Sequence, residues 1–210
     1  ITQFHDDLKK GFWNRSIEEK DMWTSLYNKN VGIIGYGHIG KNIAKLLKPF
    51  NCHIIGFKKT IKESSDNLFN EVTTDLSYAI DQSQILFITL PSNESTKEII
   101  SKELLTKMNG KYIINVGRGD TVNEEGLYEA LKGGILAGAA LDVWFNYPGK
   151  NEEPVLPAYK PFWELPNVIF SPHKSSHVEE AVKAMIDDTF DNIRMYLKTG
   201  KPGNIVLLSF

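Results

Sequence analysis

The sequence predicts an α/β protein built on a doubly wound parallel sheet, and three observations predict it. Short apolar runs rich in Val, Ile and Leu recur along the chain, with the length and composition of buried strands. Segments with helical spacing and capping residues alternate with them, and that alternation implies parallel pairing with helices on both sheet faces. The first run, residues 31–34, passes directly into Gly35-Tyr36-Gly37-His38-Ile39-Gly40, a Gly-x-Gly-x-x-Gly turn from strand into helix.

Each element follows from its residues. Residues 4–12, with Trp13 after them, read as a helix end entering a loop. The helix after Gly40 should turn Ile39, Ile43, Leu46 and Leu47 inward and stop at Pro49, where the ring removes a backbone donor. Residues 52–57 form the next apolar run, with Cys52 as a buried thiol, and 58–67 is a charged stretch without period. Asp75 is placed to cap a short helix before the strand at 85–90, which Pro91 ends. Ser101 and Asn123 are N-caps for helices carrying Leu104, Leu105 and Met108, and Leu127, Ala130 and Leu131. Gly110 and Gly133-Gly134 close them. Strands are expected at 112–116, 135–143 and 168–170, and four prolines between Pro148 and Pro161 mark a long loop. Ser176-x-x-Glu179 has the form of a capping box. It would open a helix with Val178, Val182, Met185, Thr189, Ile193 and Tyr196 on one face, ended by Gly200 and Pro202.

In a strand-turn-helix of this kind the three glycines have separate uses. Gly35 allows the tight turn, Gly37 lets a pyrophosphate approach the backbone, and Gly40 lets the helix pack against the strand. The helix N-terminus then faces the phosphates, so the motif in this context predicts a dinucleotide site with backbone contacts at His38 and Ile39. Composition narrows the rest. A net charge of −2 and 41% apolar residues exclude a polyanion-binding surface and support a packed core. A single cysteine excludes an internal disulfide, and His5, His53 and His177 have no metal-ligand spacing with it, so no metal is expected. No run is long enough to span a bilayer, and a soluble, cytoplasmic protein is expected, with no nucleic-acid or membrane partner. The chain opens on Ile1, so its natural N-terminus is expected upstream.

Ligands of parallel sheets bind beyond the carboxyl ends of the strands. There the sequence places Lys58, Pro91, Asn115-Val116-Gly117-Arg118-Gly119, Leu141-Asp142-Val143 and Ser171-Pro172-His173. In this order, after Gly-x-Gly-x-x-Gly, these motifs resemble the D-isomer-specific 2-hydroxyacid dehydrogenases, which include glyoxylate, hydroxypyruvate and phosphoglycerate dehydrogenases. The resemblance runs from Gly11-Phe12-Trp13 to Gly200-Lys201-Pro202. It implies a Rossmann-type NAD-binding domain over residues 1–177. It also implies that residues 178–210 are a C-terminal helix and tail returning to a second, substrate domain whose front segment is absent from this chain.

The resemblance implies roles by position. Arg118 would hold the substrate carboxylate through its planar fork, unless it pairs with an acidic neighbour such as Asp120. His173 would be the general acid–base. Asp142 would contact the carboxamide end of the nicotinamide, the alternative being an aspartate that caps a turn. Pro91, Thr96, Val116 and Gly117 would line the cofactor groove. Two positions depart from the family. Where an NAD site carries Asp or Glu for the ribose hydroxyls, this chain has Lys58 and Lys59, which inclines the expected cofactor from NAD toward NADP. Where the family's His partner is Glu, this chain has Tyr147, with Glu152 and Glu153 nearby but out of register.

The implied activity is NAD(P)-dependent hydride transfer on a small 2-oxo or 2-hydroxy acid. A nucleotide-binding regulatory module with little or no turnover is the alternative, as is a dehydrogenase for another small anion such as phosphite or formate. The family implies a homodimer paired through its nucleotide domains, for which Phe4, Phe12 and Trp13 are candidate contacts. Without the front segment the chain should bind cofactor and turn over poorly.

Overall fold

The computed structural model describes residues 2–13, 24–60, 67–149 and 154–203. Seven strands form one sheet: β1 (Asn30–Ile34), β2 (His53–Phe57), β3 (Glu71–Thr73), β4 (Ile85–Ile88), β5 (Tyr112–Asn115), β6 (Gly138–Leu141) and β7 (Val168–Phe170). All pairings are parallel, in the order β3-β2-β1-β4-β5-β6-β7. The order reverses between β1 and β4, which opens a crevice beyond their carboxyl ends. The helices are α1 (Thr2–Lys9), α2 (His38–Leu47), α3 (Leu76–Gln82), α4 (Lys102–Thr106), α5 (Glu124–Lys132) and α6 (Glu179–Thr199). This is the Rossmann-type sheet that the sequence predicts.

The three expected caps are formed. Asp75, Ser101 and Asn123 accept from the N–H groups of Tyr78, Leu104 and Gly126, each such cap contributing about 1 kcal/mol. Two apolar layers flank the sheet. Val31, Ile33, Ile54, Ala44 and Leu47 pack between β1, β2 and α2. On the other face Leu86, Ile88, Ile113 and Leu141 pack against Ala79 and Ile80 of α3, Leu105 of α4 and Leu127 and Leu131 of α5. The expected thiol burial is also found: Cys52 sits just before β2, and burial raises its pKa.

Several expectations differ from the structure, each for a local reason. Helix α4 stops at Thr106, so Met108 is buried in the turn after it, where its N–H bonds the Leu105 carbonyl. In α2 the inward residues are Gly40, Ala44 and Leu47, while Ile39 and Leu46 are exposed. Gly40 has to face the strand, so the stripe that continues it at i+4 and i+7 turns inward and the one through Ile39 and Leu46 turns outward. Strand β3 was not foreseen, because its three residues hold a single aliphatic side chain, Val72, at the sheet edge. Strand β6 is shorter than 135–143. Leu136 N–H bonds the Ala130 carbonyl and the Ile135 carbonyl accepts from Gly110, which commits 135 and 136 to the turn. The capping box is not formed: α6 begins at Glu179, with Val178 at the N-cap and no side-chain cap. Residues 174–178 are held in turns by His177 N–H to Lys174 and Val178 N–H to Ser176, so the helix starts late.

Coverage of the sheet is uneven. Ile33, Phe87, Ile114, Ala140 and Ile169 share one row across β1, β4, β5, β6 and β7 and hence one face. Helix α2 covers the β1 end of that row, but at its far end Ile169 is 60% exposed. A hollow of about 910 Å³ lies there, reaching from Ile114 and Ala140 down to Asn109 and Tyr112 at the amino ends of the strands. Helix α6 has no buried residue, and Met185, Ile186, Phe190, Ile193 and Leu197 are all exposed. Phe12 and Trp13 are exposed as well. No helix among the described residues is long and apolar enough to cross a membrane.

Candidate active site

Because every strand runs the same way, the loops after β1, β4, β5, β6 and β7 emerge on one edge, and short-range contacts lace them together. The first is the glycine turn. Gly35 has φ +125°, and a Cβ there would lie 2.5 Å from Thr89 Oγ1; that hydroxyl donates to the Gly35 carbonyl at 2.9 Å. A Cβ on Gly40 would lie 2.1 Å from the Gly35 carbonyl oxygen, so only glycine lets α2 seat here. Gly37 is the opposite case, since a Cβ there would meet no atom within 4 Å. No side chain caps α2, which leaves its first-turn N–H groups directed at this open space. A backbone cradle that no side chain enters, beside uncapped donors, fits a dinucleotide pyrophosphate.

Beyond β2 the cradle is flanked by cations on an aromatic platform. Tyr36, between the first two glycines, packs on Phe69 with ring centroids 4.3 Å apart and planes tilted by 31°. Lys58 Nζ lies 4.6 Å and Lys41 Nζ 5.0 Å from the Tyr36 ring centroid, within cation–π range. Lys59 is exposed. Tyr36 carried no signal in the sequence beyond its place in the motif, and Lys41, just after the motif, carried none, because it is the fold that brings α2 alongside the end of β2.

The loop after β5 is braced by hydrogen bonds and close backbone contacts. Asn115 is buried; its amide nitrogen donates to the Arg118 carbonyl at 2.9 Å and its oxygen accepts from Gly117 N–H at 3.0 Å. Thr121 Oγ1 donates to the same carbonyl at 2.6 Å. A Cβ on Gly117 would lie 2.5 Å from the Leu90 carbonyl oxygen, and one on Gly119 would lie 2.1 Å from that of Trp144. The Arg118 backbone is thereby clamped between the loops after β4 and β6. Its side chain is exposed, and Nη1 donates to the Gly117 carbonyl at 2.7 Å. Asp120 does not pair with it: Asp120 accepts from Ser92 Oγ at 2.5 Å. Pro91 is exposed, whereas Thr96 is buried and closes its own turn by donating to the Pro91 carbonyl at 2.7 Å. Val116 is partly exposed beside this loop.

The loops after β6 and β7 form a single unit around His173. Asp142, 6% exposed, accepts from Ser171 Oγ at 2.5 Å and from the N–H groups of Lys174 at 2.9 Å and Ser175 at 3.2 Å, and also from the Ser175 hydroxyl. Burial by itself would raise its pKa, but these hydrogen bonds outweigh burial and hold it below the ordinary carboxylate range. Trp144 Nε1 donates to the Ser171 carbonyl at 2.9 Å. Tyr147 stands edge-on to His173, with ring centroids 5.6 Å apart, and its hydroxyl accepts from Trp144 N–H at 3.1 Å. Its place in the sequence thus does put it beside His173. Among the described residues no carboxylate pairs with His173; Glu152 and Glu153 lie outside the described residues. The Asp142 clasp was invisible in the sequence because its donors follow it by 29 to 33 residues.

Comparisons with known proteins identify the family. Over 208 residues the chain is 34% identical to a D-3-phosphoglycerate dehydrogenase from Methanocaldococcus jannaschii, covering 98% of this chain and 38% of that protein. It is 31% identical to a glycerate dehydrogenase from Methylorubrum extorquens, covering 98% of this chain and 62% of the relative. It therefore spans less than two thirds of either. Among solved structures it is similar to an NADPH-dependent glyoxylate/hydroxypyruvate reductase from Sinorhizobium meliloti in complex with NADP and malonate. The TM-score is 0.77 at 30% identity, over 98% of this chain and 61% of that one. The model of the D-isomer specific 2-hydroxyacid dehydrogenase NAD binding domain matches residues 1–175, and the chain accordingly belongs to that family.

Proposed function

We propose that the chain is the cofactor-binding part of an NAD(P)-dependent oxidoreductase that moves a hydride between nicotinamide and a small 2-oxo or 2-hydroxy acid of the D series. The observation that carries the reading is the open cradle at Gly37, set on the same edge of the sheet as the braced loops bearing Arg118 and His173. Gly35, Gly37, His38, Ile39 and Gly40 hold the pyrophosphate, and Pro91, Thr96, Val116, Gly117 and Asp142 flank the remainder of the cofactor. Bound there, the nicotinamide supplies or accepts the hydride. Arg118 binds the substrate carboxylate, and its clamped backbone sets the orientation of the neighbouring carbonyl. His173 carries the proton to the C2 oxygen in reduction and takes it away in oxidation.

Three finer points belong to this reading. Lys58, Lys59 and Lys41 favour NADP, because cations at the end of β2 attract a ribose phosphate that a carboxylate would repel. Residues 1–177 form the nucleotide domain, and the exposed apolar face of α6 packs on a substrate domain, to which residues 178–210 belong. The enzyme is a cytoplasmic homodimer, with the exposed Phe12 and Trp13 in its contact.

A second reading has an observation in its favour. Tyr147 in place of a carboxylate, with its hydroxyl engaged by Trp144, suits a regulatory nucleotide-binding module. NAD(P)H oxidation by the full-length protein with glyoxylate, hydroxypyruvate and pyruvate decides between the two. Turnover with one of these and formation of the D product is expected. Tight NADPH binding without turnover on any of them supports the module, and NAD(P)+ reduction by phosphite or formate alone moves the substrate class.

A further inference from the structure

Both oxygens of the buried Asp142 carboxylate accept hydrogen bonds. Oδ1 accepts from Ser171 Oγ and from two backbone N–H groups, and Oδ2 from the hydroxyl and, at 3.3 Å, the N–H of Ser175. Every donor lies within residues 171–175, on either side of His173. His173 itself has φ +57°, the left-handed region, which a non-glycine residue occupies only under constraint. The constraint on one flank is Ser171, bonded to Asp142 through its hydroxyl and to Trp144 Nε1 through its carbonyl. On the other it is Lys174 and Ser175, bonded to Asp142. Charge-assisted bonds of this kind are stronger than neutral ones, and burial of the carboxylate strengthens them further.

We infer that Asp142 is a positioning residue: its carboxylate ties down both flanks of the His173 turn and so sets where the imidazole stands. The inference rests on the proposed role of His173 as the acid–base. It assigns Asp142 an action through that histidine in addition to its place beside the cofactor.

The test uses the full-length protein with Asp142→Ala, Asp142→Asn and Ser175→Ala. Amide hydrogen exchange over residues 171–178 needs no turnover. It should quicken at least about tenfold in Asp142→Ala, less in Asp142→Asn, which keeps one acceptor oxygen, while β1 and β4 keep their protection. With a 2-oxo acid and saturating NADPH, kcat should fall at least about tenfold in Asp142→Ala, and in a His173→Gln background the same change should cost nothing more. Ser175→Ala removes one bond and leaves the carboxylate, so it serves if Asp142→Ala does not fold, with the same direction and a smaller size. Unchanged exchange overturns the inference. So does a loss of NADPH affinity with kcat intact, or an Asp142 effect that adds in full to that of His173→Gln. Absence of turnover in the wild type refutes the proposed function instead, and the exchange measurement then decides the clasp by itself.

Discussion

Gly37 and Gly40 stand three residues apart in one turn, and the structure predicts opposite consequences for the same substitution. Gly40→Ala would place its methyl 2.1 Å from the Gly35 carbonyl oxygen and 3.0 Å from Ile33 Cγ2. The obstacle is backbone, fixed in turn by the Thr89 hydroxyl, so the cost should reach the upper end of the usual overpacking range, about 3 kcal/mol. For a chain of this size that corresponds to a fall in Tm of about 6–12 °C. Gly37→Ala meets nothing within 4 Å and has φ −90°, which alanine adopts freely. Its effect on stability should lie within about 1 kcal/mol. Its methyl would stand in the space assigned to the pyrophosphate, so the Kd for NADPH should rise at least about tenfold, or 1.4 kcal/mol. Thermal melts and a fluorescence titration of both variants separate stability from binding. A Gly37→Ala variant that binds NADPH like the wild type would refute the cradle, and a Gly40→Ala variant as stable as the wild type would refute the close seat of α2.

Three further outcomes follow from the site. Lys58→Asp should shift the ratio of kcat/KM for NADPH over NADH toward NADH, and Lys41→Gln should shift it the same way by less; a ratio unmoved by either would place the discrimination elsewhere. Tyr147→Phe removes the acceptor of Trp144 N–H and should lower the urea-unfolding free energy by about 1 kcal/mol, with no shift in the pH at which kcat/KM for reduction falls, since no charge is added or removed. For Asp142 the hydrogen bonds hold the folded pKa below the ordinary value. Its stabilising contribution is therefore complete above the unfolded carboxylate pKa, about 3.9, and is lost as pH falls through the lower folded value. The stability difference between wild type and Asp142→Asn should be largest above about pH 5 and should shrink toward pH 3; a difference that does not vary with pH would contradict it.

How far the sequence could be read depended on how local the cause was. The glycine turn, the three caps and the parallel order were legible because each rests on neighbours in the chain or on alternation along it. Arg118 and His173 drew attention because they were expected to follow strand ends, and they do lie in the loops after β5 and β7. What escaped depended on distant partners. Strand β3 is defined by the edge of β2 that it pairs with, and one valine gives no period. The inward stripe of α2 is fixed by the contact of Gly40 with Gly35, which hydrophobicity does not encode, so Ile39 and Leu46 looked inward when they are not. Ser176 had the spacing of a helix cap, but Asp142 and the turns after it hold the segment in another shape. Tyr36 and Lys41 become part of a cationic corner only once α2 lies beside β2.

The proposal depends most on His173 moving the proton, and the kcat of His173→Gln tests that most directly. With NADPH and the best 2-oxo acid substrate of the full-length protein, kcat should fall by about 10²–10⁴, while the Kd for NADPH and the melting temperature stay close to those of the wild type. A His173→Gln enzyme whose kcat stays within about twofold of the wild type would contradict the account, because general acid–base catalysis supplies far more than that.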